Sequence, residues 1–167
     1  MTTIVADKTM CYMAADRMVT TNDGEIAISC ETKIEEVSIG GDLYLVGLAG
    51  LEGPGLYFLE WFKDGSWDEP PEPISVDAGE EFSILILGPH TDPQIQVADR
   101  FCRLSRIDHR WYAVGSGGTH AWAILEAGVG VDKAMATAIK MDPNSGFGYQ
   151  VRHLVPEQRE YDRDVDT

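Results

Sequence analysis

The order of the predicted secondary structure is the feature that most constrains the fold of this chain. Short β-prone runs, interrupted by one short helix, extend through the first 114 residues, and two helices and one more strand complete the pattern. The run over 82–88, with four consecutive apolar residues at 84–87, is typical of a buried strand within such a series. Strands followed by helices in this order predict an α+β sandwich built in layers.

Turn residues, β-propensity and helical spacing set the expected boundaries of these elements. Strands are expected at 3–6, 11–15, 33–39, 43–48, 82–88, 94–98, 110–114 and 148–155. Helices are expected at 56–63, 119–126 and after Asp132, which can cap the third helix. The first two strands form a hairpin, Asn22-Asp23-Gly24 marks a turn, and a proline-rich segment at 69–73 forces an extended break.

Size and composition indicate one globular domain. A chain of 167 residues buries about 70% of its unfolded surface, and we expect residues 1–156 to form the domain and 157–167 a charged, frayed tail. Apolar runs are too short for a membrane span and no signal-peptide pattern is present, so the cytoplasm is the expected compartment. A net charge of −15 argues against nucleic-acid binding. The cysteines and histidines show no metal spacing.

The second residue is the strongest candidate for chemistry. Loss of Met1 would leave Thr2 with a free α-amine, so that a hydroxyl nucleophile and a base would share one residue. The alternative is that the chain begins Met-Thr by chance. The rest of the sequence favours the first interpretation.

Six short segments resemble the N-terminal nucleophile hydrolases of the proteasome β-subunit and bacterial HslV group. They occur in the order of that family and extend from Thr2 to about residue 155. The segments are Thr2-Thr3-Ile4-Val5, Ala14-Ala15-Asp16, Lys33-Ile34, Val46-Gly47-Leu48-Ala49-Gly50, Val114-Gly115-Ser116-Gly117-Gly118 and Asp142-x-x-Ser145-Gly146.

The resemblance implies a four-layer αββα fold with a reduced first helical layer, because one short helix and the proline-rich segment stand where the family has two long helices. It also implies a threonine-type amide hydrolase, a peptidase in the first place, that needs no metal or organic cofactor. A peptide or protein substrate and a homo-oligomer follow from the same resemblance. An ATPase partner is left open.

The resemblance also assigns a role to each matching residue. Thr2 would be the nucleophile, Lys33 the cation beside its hydroxyl, and Asp16 the counter-ion of Lys33. The Gly50 N–H would form the oxyanion hole. Three further residues would surround the Thr2 amine, and two would contact the substrate, of which Leu48 indicates an apolar P1 side chain. The first set is Ser116, Asp142 and Ser145, and the second is Val19 and Leu48.

Elementary acid–base chemistry supports this division of roles. A free α-amine has a pKa of about 7.7–8.0, whereas an ordinary lysine side chain has one of about 10.4. Near neutral pH the amine is therefore the better base and a lysine the better fixed cation. Other interpretations stay open: Asp16 and Lys33 as surface charges, the glycines at 115–118 as a phosphate cradle, a helix-ending turn at 142–146, a catalytically silent scaffold or assembly subunit, or a small-amide hydrolase.

Overall fold

We describe the fold from a computed structural model of the chain. The structure describes residues 2–20, 27–29, 32–50, 52–65, 67, 82–98, 102–154 and 161–163. The turn predicted at Asn22-Asp23-Gly24, the proline-rich segment at 69–73 and most of the predicted tail lie outside these residues. The predicted boundary of the domain at residue 156 stays a prediction.

Twelve strands and three helices make up the described part of the chain. The strands are β1 (Ile4–Asp7), β2 (Tyr12–Asp16), β3 (Met18–Thr20), β4 (Ala27–Ser29), β5 (Ile34–Ile39), β6 (Asp42–Gly50), β7 (Phe82–Gly88), β8 (Gln94–Ala98), β9 (Leu104–Ile107), β10 (Trp111–Val114), β11 (Tyr149–His153) and β12 (Tyr161–Arg163). The helices are α1 (Glu52–Asp64), α2 (Gly118–Glu126) and α3 (Val131–Met141).

The strands form two five-stranded sheets and one short pair. The first sheet has the order β10-β1-β2-β11-β12, the second β5-β6-β7-β8-β9, and β3 pairs with β4. Every pairing within them is antiparallel. The first hairpin is confirmed: β1 pairs with β2, and Ile4 lies opposite Ala15.

The main core lies between the two sheets. Alternate residues of β1 and β2 point inward, because successive side chains of a strand face opposite sides. Ile4 and Met13 from the first sheet meet Leu45 and Leu85 from the second, and all four are fully buried. Burial of this kind stabilises a fold by about 1.5–3 kcal/mol for each large side chain.

Helices cover the outer faces of both sheets. The apolar face of α3 packs on the first sheet through Met135 and Ala138, together with Ala121 of α2. On the second sheet, Phe58 and Phe62 of α1 form a separate core with Ile84. The molecule is therefore a four-layer αββα sandwich in which α1 is the helix that the described residues place over the second sheet. The predicted fold class is confirmed.

Several elements differ from the sequence prediction. Helix α1 starts at Glu52 rather than at 56, since Pro54 is tolerated in the first turn of a helix where its missing N–H has no partner to lose. Strands β3, β4 and β9 were not predicted. Strand β12 lies inside the segment predicted as a frayed tail, where Tyr161 pairs with Val151.

Candidate active site

The site lies at the ends of β1 and β2, next to the amino terminus. Thr2 lies two residues before the start of β1 and is almost fully buried, with 6% of its surface exposed. Register places Asp16, at the end of β2, beside Thr3, whose carbonyl accepts a hydrogen bond of 3.1 Å from the Asp16 N–H. Lys33 immediately precedes β5 in the second sheet. The two sheets thus bring together residues far apart in sequence.

The Lys33 ammonium connects the two sheets. Its Nζ donates to Thr2 Oγ1 at 2.8 Å, to Asp16 Oδ1 at 2.9 Å and to the Met18 carbonyl. An ammonium has three donors, so these contacts engage all of them. The Lys33 side chain is only 7% exposed. The cation is therefore held in one place, with its charge directed at the Thr2 hydroxyl.

The Asp16 carboxylate is fully buried and fully hydrogen-bonded. Besides the Lys33 ammonium, Oδ1 accepts the Thr3 N–H at 2.8 Å. The other oxygen, Oδ2, accepts the N–H groups of Met18 and Gly146, each at 3.1 Å. A buried carboxylate is stable only when it is paired and hydrogen-bonded in this way. Asp16 thus fixes Lys33 and joins the amino-terminal strand to the loop at 145–148.

A second polar group consists of Ser116, Asp142 and Ser145. Asp142 Oδ2 accepts the hydroxyls of Ser116 at 2.6 Å and Ser145 at 2.8 Å, and Oδ1 accepts the Asn144 N–H at 3.1 Å. Burial alone would raise the pKa of the Asp142 carboxyl, but the hydrogen bonds from Ser116, Ser145 and Asn144 outweigh it, and the pKa lies below its ordinary value. Asp142 is therefore ionised at neutral pH.

This second group reaches the amino-terminal strand at Thr3. The hydroxyl oxygens of Thr3 and Ser145 lie 2.7 Å apart. Ser116, Asp142 and Ser145 were predicted to surround the Thr2 nitrogen, and that contact stays a prediction. The sequence reasoning missed Thr3 as a member of the site, since nothing in a Thr-Thr pair indicates which hydroxyl contacts which group.

Gly115 sets how closely the turn between β10 and α2 approaches Thr2. Its φ is +88°, a left-handed conformation that favours glycine. A Cβ atom at this position would lie 1.8 Å from the Thr2 carbonyl oxygen. The turn thus packs directly against the backbone of the candidate nucleophile, in a way that only glycine allows.

The remaining predicted site residues lie on two strands, Leu48 and Gly50 on β6 and Val19 on β3. The Lys33 carbonyl accepts the Leu48 N–H at 3.1 Å, and Gly50 ends the same strand two residues later with a φ of +100°. The Leu48 side chain packs under α1, where it would contact a side chain at Gly55. Val19 is 37% exposed. The oxyanion role of Gly50 and the substrate contacts of Val19 and Leu48 stay predictions.

Two further findings concern metals and membranes. Within the ranges that the structure describes, no three His, Cys, Asp or Glu side chains converge as metal ligands. No helix in those same ranges combines the length and the apolar character needed to cross a bilayer.

Comparison with known proteins finds likeness in structure. No family model matches the chain, and no curated protein matches it. Anbu (ancestral beta-subunit) from Yersinia bercovieri has a similar structure, with a TM-score of 0.72 and 10% identity over 99% of this chain and 88% of that one. Anbu from Hyphomicrobium sp. strain MC1 is also similar. Its Gly-1 mutant gives a TM-score of 0.73 at 12% identity, over 99% of this chain and 88% of that one. A second structure of Anbu from this strain has a TM-score of 0.72 and 10% identity, over 98% of this chain and 88% of that one.

These comparisons correct the family assignment. The prediction that the chain is a shortened member of the proteasome β-subunit and HslV peptidase group is wrong, because no family model or curated protein supports it and the similar structures are Anbu proteins. At identities of 10–12%, these comparisons show a similar fold and nothing more. The six short segments led to a wrong family because each comprises few residues. Similar residues at strand ends and turns recur among chains that share a fold.

Proposed function

We propose that the chain is a threonine-type amide hydrolase, in the first place a peptidase, in which Thr2 acts as nucleophile once Met1 is removed. The observation that carries the proposal is the 2.8 Å contact between Lys33 Nζ and Thr2 Oγ1. A buried hydroxyl held against a fixed ammonium is the arrangement that activates threonine as a nucleophile.

In the first step, Thr2 Oγ1 attacks the carbonyl carbon of the amide substrate. The hydroxyl proton moves to the neutral α-amine of the same residue as the new C–O bond forms. The carbonyl oxygen becomes an oxyanion, which the Gly50 N–H would stabilise. One such donor contributes about 10²–10³ in kcat.

In the second step, the C–N bond of the substrate breaks. The ammonium of Thr2 returns its proton to the leaving nitrogen, and the acyl group stays on Oγ1 as an ester. Water then attacks this ester, gives a proton to the Thr2 amine and releases the acid, which restores the hydroxyl. Over the cycle the Thr2 hydroxyl proton leaves with the amine product, and a proton from water replaces it.

Lys33 fits the role of electrostatic stabiliser better than that of base. All three of its N–H donors are engaged, and its charge favours the developing alkoxide at Thr2 Oγ1. Asp16 keeps this cation in position. The proton acceptor is therefore the Thr2 amine, whose ordinary pKa lies near neutrality.

The experiment is turnover by the wild type and by Thr2→Ala, on fluorogenic peptides with an apolar P1 side chain and on small amides. The amino-terminal residue of each preparation is read by mass spectrometry. We expect turnover only in the wild type without Met1. Equal turnover in both proteins would end the threonine mechanism, and turnover of small amides alone would assign a small-amide hydrolase.

A second candidate is a catalytically silent subunit of a homo-oligomeric assembly. The Anbu structures, described as ancestral beta-subunits, match 98–99% of this chain, and this likeness favours a subunit role more than it favours peptidase activity. Light scattering after size-exclusion chromatography distinguishes the candidates when combined with the turnover assay. An oligomer without turnover would assign the silent subunit.

A further inference from the structure

Thr3 lies between the two polar groups of the candidate site. It is fully buried. Its N–H donates to Asp16 Oδ1 at 2.8 Å and its carbonyl accepts the Asp16 N–H at 3.1 Å. Its hydroxyl lies 2.7 Å from Ser145 Oγ. Thr3 therefore contacts Asp16, which fixes Lys33, and also the hydroxyl that leads to Asp142.

The direction of the hydroxyl hydrogen bonds follows from the charge of Asp142. An ionised carboxylate only accepts, so the single proton of Ser145 points to Asp142 Oδ2 at 2.8 Å. Ser145 Oγ must then accept from the Thr3 hydroxyl. The chain of donors thus runs from Thr3 through Ser145 to Asp142, and it fixes the orientation of the Thr3 side chain.

The space around the Thr3 hydroxyl is equally restricted. A Cβ atom at Gly117 would lie 1.9 Å from Thr3 Oγ1 and 3.2 Å from Asp142 Oδ2. The loop after β10 therefore closes on the hydroxyl with no room for another side chain. Hydrogen bonding and packing together allow the Thr3 side chain one position.

We infer that Thr3 is a positioning residue for Thr2: its hydroxyl, bonded to Ser145, and its amide, bonded to Asp16, hold the preceding residue so that Thr2 Oγ1 stays against Lys33 Nζ. The catalytic part of this inference rests on the proposed function. The structural part concerns only the 2.8 Å contact between Thr2 and Lys33. Because the peptide bond joins Thr2 directly to Thr3, a shift of Thr3 displaces the nucleophile.

The test compares Thr3→Val, Thr3→Ser and the control Thr91→Val. Valine keeps the branched shape of threonine and removes the hydroxyl, while serine keeps the hydroxyl. Like Thr3, Thr91 donates its hydroxyl to another side chain, here Asp42 Oδ1 at 2.9 Å, but at an exposed site. We expect kcat to fall about 10- to 100-fold in Thr3→Val with KM unchanged, as for a misplaced reacting group. Thr3→Ser and Thr91→Val should keep wild-type kcat.

Crystal structures of the same variants give a readout that does not depend on activity. We expect Thr2 Oγ1 to move beyond hydrogen-bonding distance of Lys33 Nζ in Thr3→Val and to return in Thr3→Ser. An unchanged contact in Thr3→Val, or unchanged kcat in an active enzyme, would overturn the inference. Absence of turnover in the wild type would instead refute the proposed function. The distance between Thr2 Oγ1 and Lys33 Nζ in each variant would still test the role of Thr3.

A folding defect in Thr3→Val would shift the test to Ser145→Ala. This variant removes the acceptor of the Thr3 hydroxyl and leaves Thr3 itself intact. The same displacement of Thr2 and the same loss of kcat would support the inference. A Ser145→Ala protein with an undisturbed contact between Thr2 and Lys33 would refute it.

Discussion

At the residue scale, the pair formed by Asp16 and Lys33 determines the shape of the candidate site. Both side chains are buried, and the carboxylate accepts four hydrogen bonds while the ammonium donates three. Such a pair need not add net stability, but removing one member leaves the other uncompensated. The geometry therefore tolerates little change at either position.

Replacement of Lys33 by methionine tests this requirement. Methionine keeps the length of the side chain and leaves the Asp16 carboxylate buried without its cation, so we expect a loss of about 3–5 kcal/mol in the free energy of unfolding. Urea denaturation measures it. Lys140→Met, on the exposed last turn of α3, is the control and should cost about 0.3–1 kcal/mol. Equal effects in the two variants would contradict a buried charge pair.

Asp142 gives the site a pH dependence at the acid side. Its pKa is lowered in the folded protein, so its contribution to stability is complete above its unfolded pKa of about 3.9 and is lost as the pH falls through the folded value. We expect Ser116→Ala to cost about 1.5–3 kcal/mol at pH 7, since it removes a hydrogen bond to a charged group. Below the folded pKa of Asp142, this difference from the wild type should shrink.

Urea denaturation of both proteins between neutral and acid pH checks this prediction. Asp142→Asn is the control, because an amide does not titrate and Ser116→Ala in that background should have the same effect at every pH. A difference between wild type and Ser116→Ala that stays constant, or grows, on acidification would exclude Asp142 as the titrating group.

At the scale of elements, the strands and helices of the core were predictable and the edges of the site were not. The first hairpin and the apolar face of α3 follow from alternation and helical spacing. Strand β9 has two strongly exposed positions and no apolar alternation, so the sequence carried little signal for it. The contact between Thr3 and Ser145 depends on the register of distant strands, which propensity cannot specify.

The turn between β10 and α2 allows a matched test of close packing. Gly115 and Gly128 both have a left-handed φ, of +88° and +74°. A Cβ at Gly115 would overlap the Thr2 carbonyl, whereas one at Gly128 would meet nothing within 4 Å. We therefore expect Gly115→Ala to lower stability by about 1–3 kcal/mol more than Gly128→Ala, from overlap alone. Thermal denaturation measures both, and equal losses would show that the turn can move away from Thr2.

At the scale of the whole molecule, the sandwich places the amino terminus where both sheets contribute to one site. The order of elements predicted a layered α+β sandwich, and the resemblance implied its four-layer form and the association of Thr2, Asp16 and Lys33. The resemblance also led to a wrong family, since shared strand ends do not establish membership at 10–12% identity. Activity has to be argued from the geometry of the site.

The most direct test of that geometry is the site of modification by a peptide epoxyketone. This reagent bonds to both groups of an amino-terminal threonine: the hydroxyl oxygen adds to its ketone, and the α-amine opens its epoxide. We predict a single adduct on Thr2 of the protein without Met1, mapped by mass spectrometry, and none on Thr2→Ala. An unmodified Thr2 in a correctly processed and folded protein would contradict a nucleophile that is activated by its own amine.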